Sequence, residues 1–178
     1  MPTLMTPRTA SGVTELELEQ LFREHYQMLY RTAYSILDNP ADAEDVGQTI
    51  FVQFLRNGAS RDLLKNPKAY LYRAAVNGSL NILRSRKRQA LESRAEDLEI
   101  PARANDEDSV EATHRRLAEA IAELRSEAAE ILLLRYVHEY SDADIAKLLG
   151  RSRGTIATKL FRTRLRLKKL MRAMGEQL

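Results

Sequence analysis

Toward the end of the chain the apolar residues step by three and four. Drawn at about 100° per residue, Ile156, Leu160, Thr163, Leu167, Leu170, Met171 and Met174 fall on one face of a helix. Just upstream, Ile145, Leu148 and Leu149 make a second, shorter apolar face, with Ala146 small enough to let a neighbouring helix approach. Gly150 separates the two, where a helix should stop. Ser141 followed by Asp144 resembles a capping box with Asp in place of Glu. The segment EAAEILLLRYV can cover the pair from above. A short helix, a tight glycine turn, a longer helix and a covering helix are the pattern of a helix-turn-helix.

The same period governs the first half. Val46, Gly47, Ile50, Phe51 and Phe54 form an inward stripe, and Asp45, Gln48, Thr49, Val52 and Arg56 the opposite face. In the next helix Leu71, Ala75 and Ile82 bury one side, and Tyr72, Val76, Leu80 and Leu83 another. Asn39-Pro40 and Asn66-Pro67 each put a cap residue before a first-turn proline, and Gly58 is a second expected stop. Strand-like alternation does not persist anywhere, so the expected fold class is all-α. Two helical blocks are separated by ESRAEDLEIPARANDEDSVE, which is polar and without helical period apart from the pair Leu98 and Ile100. The expected organisation is therefore a loose tail at 1–13, a helical domain at 14–91, a flexible acidic linker at 92–112 and a helix-turn-helix domain at 113–178.

Composition narrows the class. With 44% hydrophobic and 30% charged residues among 178, the chain has enough apolar side chains for two modest cores. It has no cysteine, which removes disulfides and thiolate metal sites and fits a reducing cytosol. No apolar run is long enough for a membrane span, and MPTLMTPRTASG lacks the apolar stretch of a signal peptide, so a cytoplasmic location without membrane insertion is expected. The net charge of +3 is mild but uneven. Eight acids face only Arg94 and Arg103 between Glu92 and Glu111, whereas ten bases face Asp142, Asp144 and Glu176 from Asp142 onward. An acidic middle and a basic end point to a polyanion partner for the end, although basic helices are also simply soluble.

Two faces carry the candidate chemistry. Opposite the apolar stripe of the last helix lie Thr155, Thr158, Lys159 and Arg162, hydrogen-bond donors near the start of a second helix, where such helices meet base edges in the major groove. Arg166 and Lys169 continue that side toward phosphates, and Arg151, Ser152 and Arg153 sit in the turn. Phe161 and Leu165 lie off the stripe, facing either a thymine methyl or another protein. Calmodulin-target and membrane-surface helices are also basic and amphipathic, but neither explains the short first helix, the turn glycine and the matched apolar faces. In NPKAYLYRAAVNGSLNILRSRKR, Tyr70, Arg73, Asn77, Asn81, Arg84 and Arg88 share one face. A ring that stacks, amides that bond to base edges and guanidiniums that neutralise phosphate suit unpaired nucleic acid. On spacing alone Tyr70 is equally a core aromatic, and RSRKR a solvated helix end.

Together these stretches resemble a known family. DAEDVGQTIF followed by AYLYRAAVN and an arginine-rich helix end is similar to the second conserved region of bacterial RNA polymerase sigma factors. LRSEAAEILLLRYVHEYSDADIAKLLGRSRGTIATKLFRTRLRL resembles their fourth region, and the absence of anything sizeable between them resembles the extracytoplasmic-function (ECF) group. The resemblance covers about Leu16 to Leu170. It implies that Asp45, Gln48, Thr49 and Val52 dock on the β′ clamp of core RNA polymerase. It implies that the helix bearing Asn77 recognises the −10 element and holds a flipped base, with the segment from about Asn57 to Asn66 closing over it. The linker would thread toward the RNA exit path, and the helix from Arg153 would read the −35 element, its surface near the β flap. Promoter DNA, core polymerase and an anti-sigma factor are the implied partners, and no small-molecule substrate or cofactor is implied. The sequence departs from the family pattern at Leu124-Arg125 in place of Leu-Pro, at Tyr70 in place of tryptophan, at Gly47 in place of a larger apolar residue, and at Ala157 in place of a basic one.

Other classes fit less of the chain. His25, His114 and His138 are scattered rather than at metal-ligand spacing, so no metal site is expected. There is no nucleophile elbow, phosphate loop or dinucleotide fingerprint, and no catalytic residue is assigned. The main rival is a stand-alone helix-turn-helix repressor or activator whose first block dimerises or senses a ligand. A protein-only adaptor whose basic helix binds an acidic partner is a third.

Overall fold

A computed structural model of the chain describes residues 15–57, 60–96 and 110–175. The expected tail, the stop at Gly58 and the greater part of the linker lie outside the described residues. Among the described residues every regular element is an α-helix: α1 (Glu15–Leu37), α2 (Pro40–Asn57), α3 (Arg61–Lys65), α4 (Pro67–Glu96), α5 (Val110–Ala122), α6 (Ser126–Tyr136), α7 (Asp142–Leu149) and α8 (Arg153–Gly175). The chain divides into two compact units, Met1–Gly78 and Ser79–Leu178.

In the first unit α1 and α2 pack along each other. Leu29, Ala33 and Ile36 of α1, Ala43, Val46, Ile50 and Phe54 of α2, and Leu71, Tyr72, Ala75 and Val76 of α4 are all buried. Each large side chain removed from water in this way contributes about 1.5–3 kcal/mol. The two asparagine caps form as expected: Asp42 N–H donates to Asn39 Oδ1 at 3.1 Å, and Ala69 N–H to Asn66 Oδ1 at 3.1 Å. Gly47 does not break α2, which runs through it. A Cβ there would stand 3.3 Å from Tyr26 Cε2, so the ring of Tyr26 occupies the space a larger residue would take. Residues 61–65 form a short helix within the segment expected to close over the flipped base. Ser60 caps the short α3 by accepting from Leu63 N–H, and Leu63 is fully buried.

The second unit is the expected helix-turn-helix with its covering helices. Ile131, Leu133 and Leu134 of α6, Ile145 and Ala146 of α7, and Ile156 and Leu160 of α8 are buried together with Ile121 and Leu124. Leucine and isoleucine at these positions explain why α6, α7 and α8 pack pairwise. α6 ends in a turn in which Glu139 takes a positive φ of 58° and Arg135 donates to the Tyr140 carbonyl at 3.0 Å. The capping box of α7 is complete: Ser141 Oγ accepts from Asp144 N–H, and Asp144 accepts from Ser141 N–H. The Ser141 hydroxyl donates to Asp144 Oδ2 as well, and this bond, with that from the Ser141 N–H, holds the Asp144 carboxyl below its usual range. Gly150 closes α7 in the left-handed region, φ 63° and ψ 40°.

Helix extends into both ends of the linker stretch: α4 continues to Glu96 and α5 begins at Val110. The compact units part at Gly78–Ser79, inside α4. The reason is long-range: α4 is one continuous helix of 30 residues, and its later turns bond to the α5–α6 turn.

Candidate nucleic-acid interface

α8 presents its two faces as the apolar period requires. Ile156, Leu160 and Thr163 are buried, and Leu167, Leu170, Met171 and Met174 half-buried, along one side. Arg153, Thr155, Thr158, Arg162, Arg166 and Lys169 are exposed on the other. Gly150 sets where α8 starts, and Ser152 caps it: Ser152 Oγ accepts from Thr155 N–H at 3.1 Å. The Thr155 hydroxyl also pairs with Ser152 Oγ at 2.8 Å, which fixes its direction at the first turn.

Lys159 differs from the other candidates on α8. It is half-buried, and its Nζ lies 2.6 Å from Glu127 Oε2 in the first turn of α6. Arg151 approaches the other oxygen of the same carboxylate at 3.8 Å. The Lys159 hydrogen bond holds the Glu127 carboxyl below its usual range. Phe161 and Leu165 stand in solvent, 60% and 54% exposed, beside the polar donors.

On α4 the six candidates fall to both units. Tyr70, Arg73 and Asn77 belong to the first. Tyr70 is half-buried with its ring centroid 5.8 Å from that of Phe54, so it packs against the core as well as lining the surface. Asn77 is half-buried and Arg73 exposed. Asn81, Arg84 and Arg88 belong to the second unit and are exposed. Arg84 is already engaged: its Nε donates to the Ala122 carbonyl at 3.0 Å and an Nη to the Leu124 carbonyl at 2.8 Å. These carbonyls lie at the end of α5 and just past it, where the helix leaves acceptors unpaired and favours a cation. One turn on, Lys87 Nζ meets Glu123 at 2.5 Å, which lowers that carboxyl from its usual range. Spacing along α4 gives no sign of these acceptors, which lie 38 and 40 residues away.

On α2, Asp45, Gln48, Thr49 and Val52 are all exposed, and together with Gln53, Arg56 and Asn57 they line one shallow cleft. Val52, 42% exposed, is its apolar centre. Around the helix from it lies a groove not anticipated from the sequence, lined by Phe22, Tyr26, Phe51 and Leu55. Phe22 and Phe51 stand 4.9 Å apart, and rings continue up α1 through Tyr26, Tyr30 and Tyr34 at 5.8, 6.4 and 6.0 Å. The four-residue spacing of these aromatics was a readable signal for that row; the partners Glu123 and Glu127 had none. Among the described residues no cluster of histidines and carboxylates is arranged to hold a metal ion.

Residues 21–89 match the family of sigma-70 region 2, and residues 114–167 that of sigma-70 region 4. The chain is 28% identical over 153 residues to the ECF RNA polymerase sigma factor SigM of Mycobacterium tuberculosis, covering 86% of this chain and 76% of that protein. The chain belongs to the ECF group of sigma-70 factors. This makes it a sigma factor rather than a stand-alone helix-turn-helix repressor or activator.

Other relatives of the sigma factor agree. The RNA polymerase sigma factor YlaC of Bacillus subtilis is 29% identical over 164 residues, covering 90% of this chain and 95% of that one. The RNA polymerase sigma-E factor of Streptomyces antibioticus is 27% identical over 154 residues, 86% and 83% of the two chains. A solved structure of CnrH in complex with the cytosolic domain of CnrY shares the fold, with a TM-score of 0.51, 23% identity and 92% of each chain covered. The region 2 match takes in every candidate on α2 and α4. The region 4 match takes in those on α8 except Lys169, two residues beyond it.

Proposed function

We propose that this sigma factor divides promoter recognition between its two units. The outer face of α2, from Asp45 through Gln48 and Thr49 to Val52, docks on the clamp of core polymerase. Their shared exposure around one cleft supports this, because a docking face must be open and carry an apolar centre among polar groups. The first half of α4, with Tyr70, Arg73 and Asn77, receives the −10 strand once a base has left the stack. Asn81 and Arg88 continue the contact, and Arg84 joins it by giving up the carbonyls of Ala122 and Leu124. α8 enters the major groove of the −35 element. Thr155, Thr158 and Arg162 face base edges, and Arg153, Arg166 and Lys169 hold phosphates.

The observation that carries this reading is the α8 surface: a capped helix start, a buried apolar stripe and a solvent face of donors on one rigid helix-turn-helix. The chain supplies recognition and strand opening, and the polymerase supplies the chemistry. It works in the cytoplasm with an anti-sigma factor as a further partner; no helix among the described residues is long and apolar enough to cross a membrane.

The test is run-off transcription with core polymerase and the promoter of the protein's own operon. Arg162→Ala should cost about 1–3 kcal/mol of −35-dependent initiation if its guanidinium meets a base; full activity would remove it as a reader. Asn77→Ala should bind core normally but leave the −10 region closed to permanganate; unchanged reactivity would end its pocket role. Tight duplex binding by the protein alone, with no association to core polymerase, would overturn the whole assignment.

A further inference from the structure

Glu127 occupies the first turn of α6, and no side chain caps that helix. A carboxylate there lies in the favourable field of the helix start and stays ionised. Its two oxygens point to two cations of the DNA-facing surface: Oε2 takes Lys159 of α8 at 2.6 Å, and Oε1 faces Arg151 of the preceding turn at 3.8 Å. All three side chains are partly open to solvent, so the pair adds little to stability. Its consequence is positional. Lys159 is the one candidate on α8 that is half-buried, drawn to the side of the helix nearest α6 rather than standing out with Thr158 and Arg162.

A free lysine is a mobile point charge that finds a phosphate on any DNA sequence. A lysine held by a carboxylate of its own fold is withdrawn from that sequence-independent attraction and offers its remaining donors in a set direction. We propose that Glu127 is a specificity-determining positioning residue: by holding Lys159, and Arg151 more loosely, it keeps the start of α8 from gripping DNA indiscriminately. This rests on the reading that α8 binds the −35 duplex.

The experiment measures binding of the holoenzyme to two promoters that share a −10 element, one with the matched −35 element and one with it scrambled, over a range of KCl. Glu127→Gln should tighten binding to the scrambled promoter by about five- to tenfold at moderate salt and steepen its log–log salt slope by about 0.9, the signature of one more phosphate neutralised. Binding to the matched promoter should not tighten to the same degree, so discrimination falls. Glu127→Asp, which keeps a carboxylate, should restore most of the discrimination. With Lys159→Ala in the background, Glu127→Gln should lose most of its effect. Glu119→Gln, at an exposed position of α5, removes the same charge from a side chain that pairs with neither Lys159 nor Arg151 and serves as the control. Circular dichroism confirms that each variant is folded. Equal tightening on both promoters, the same response from Glu119→Gln, or no change in slope would overturn the proposal. If the wild-type holoenzyme does not distinguish the two promoters, it is the −35 assignment of α8 that fails.

Discussion

His25 shows how a single residue couples this fold to pH. It lies half-buried on α1, and burial lowers its pKa below the ordinary 6.5; Glu24 opposes the shift and Lys68 adds to it. The unfolded chain therefore takes up a proton at a higher pH than the folded one. Well above pH 6.5 both states are neutral and the residue has no effect. As pH falls from about 6.5 through the lower folded value, stability is lost. Thermal melts between pH 8 and 5 should show this decline, and His25→Gln should flatten it. An equal slope in the variant would assign the decline to other groups. The same scale explains which candidates were legible. Thr155, Thr158 and Arg162 were placed by helical spacing alone and stand exposed as that spacing requires. Lys159 was placed by the same spacing, but its partner sits 32 positions earlier in another helix, and spacing along one helix carries no information about that.

At the scale of the element, the turn between α7 and α8 sets the angle at which α8 is presented. Gly150 sits at φ 63°, with nothing within 4 Å of where a Cβ would be. A substitution there meets no clash, so its cost is backbone strain alone. Gly150→Ala should destabilise the protein by about 1 kcal/mol, read as a lower midpoint in urea. No change would mean that the turn relaxes into another conformation. Capping residues were the most readable elements of all. Asn39, Asn66 and Ser141 each accept the N–H three residues on, because the bond is local and the residue type suffices. Helix ends without such a signal are not legible in this way. α4 runs to Glu96, into the stretch read as linker, since nothing in RQALESRAE stops a helix and several of its residues favour one.

For the molecule as a whole, the division inside α4 has an energetic cause. A helix of 30 residues is about 45 Å long, too long to be covered by α1 and α2 alone. Its later turns are held by Arg84 on the carbonyls of Ala122 and Leu124 and by Lys87 on Glu123. Arg84→Ala leaves those carbonyls without their charged donor and should cost about 1–3 kcal/mol in the stability of the second unit, measured by chemical denaturation. Arg88→Ala, one turn on, should cost far less. Equal losses would mean that Arg84 contributes only its charge.

The all-α class, the two helical blocks, the helix-turn-helix and the inward stripes of α2, α4 and α8, apart from Phe51, which lines the open groove, followed from the sequence by itself, because period, capping and glycine placement are local properties. Only the tertiary structure decided that Tyr26 fills the space beside Gly47, that Arg84 bonds to carbonyls at the end of α5, and that Glu127 holds Lys159. Each of these joins residues from different helices. An ion pair or a filled gap depends on where the backbones cross, and that is set by packing of the whole core.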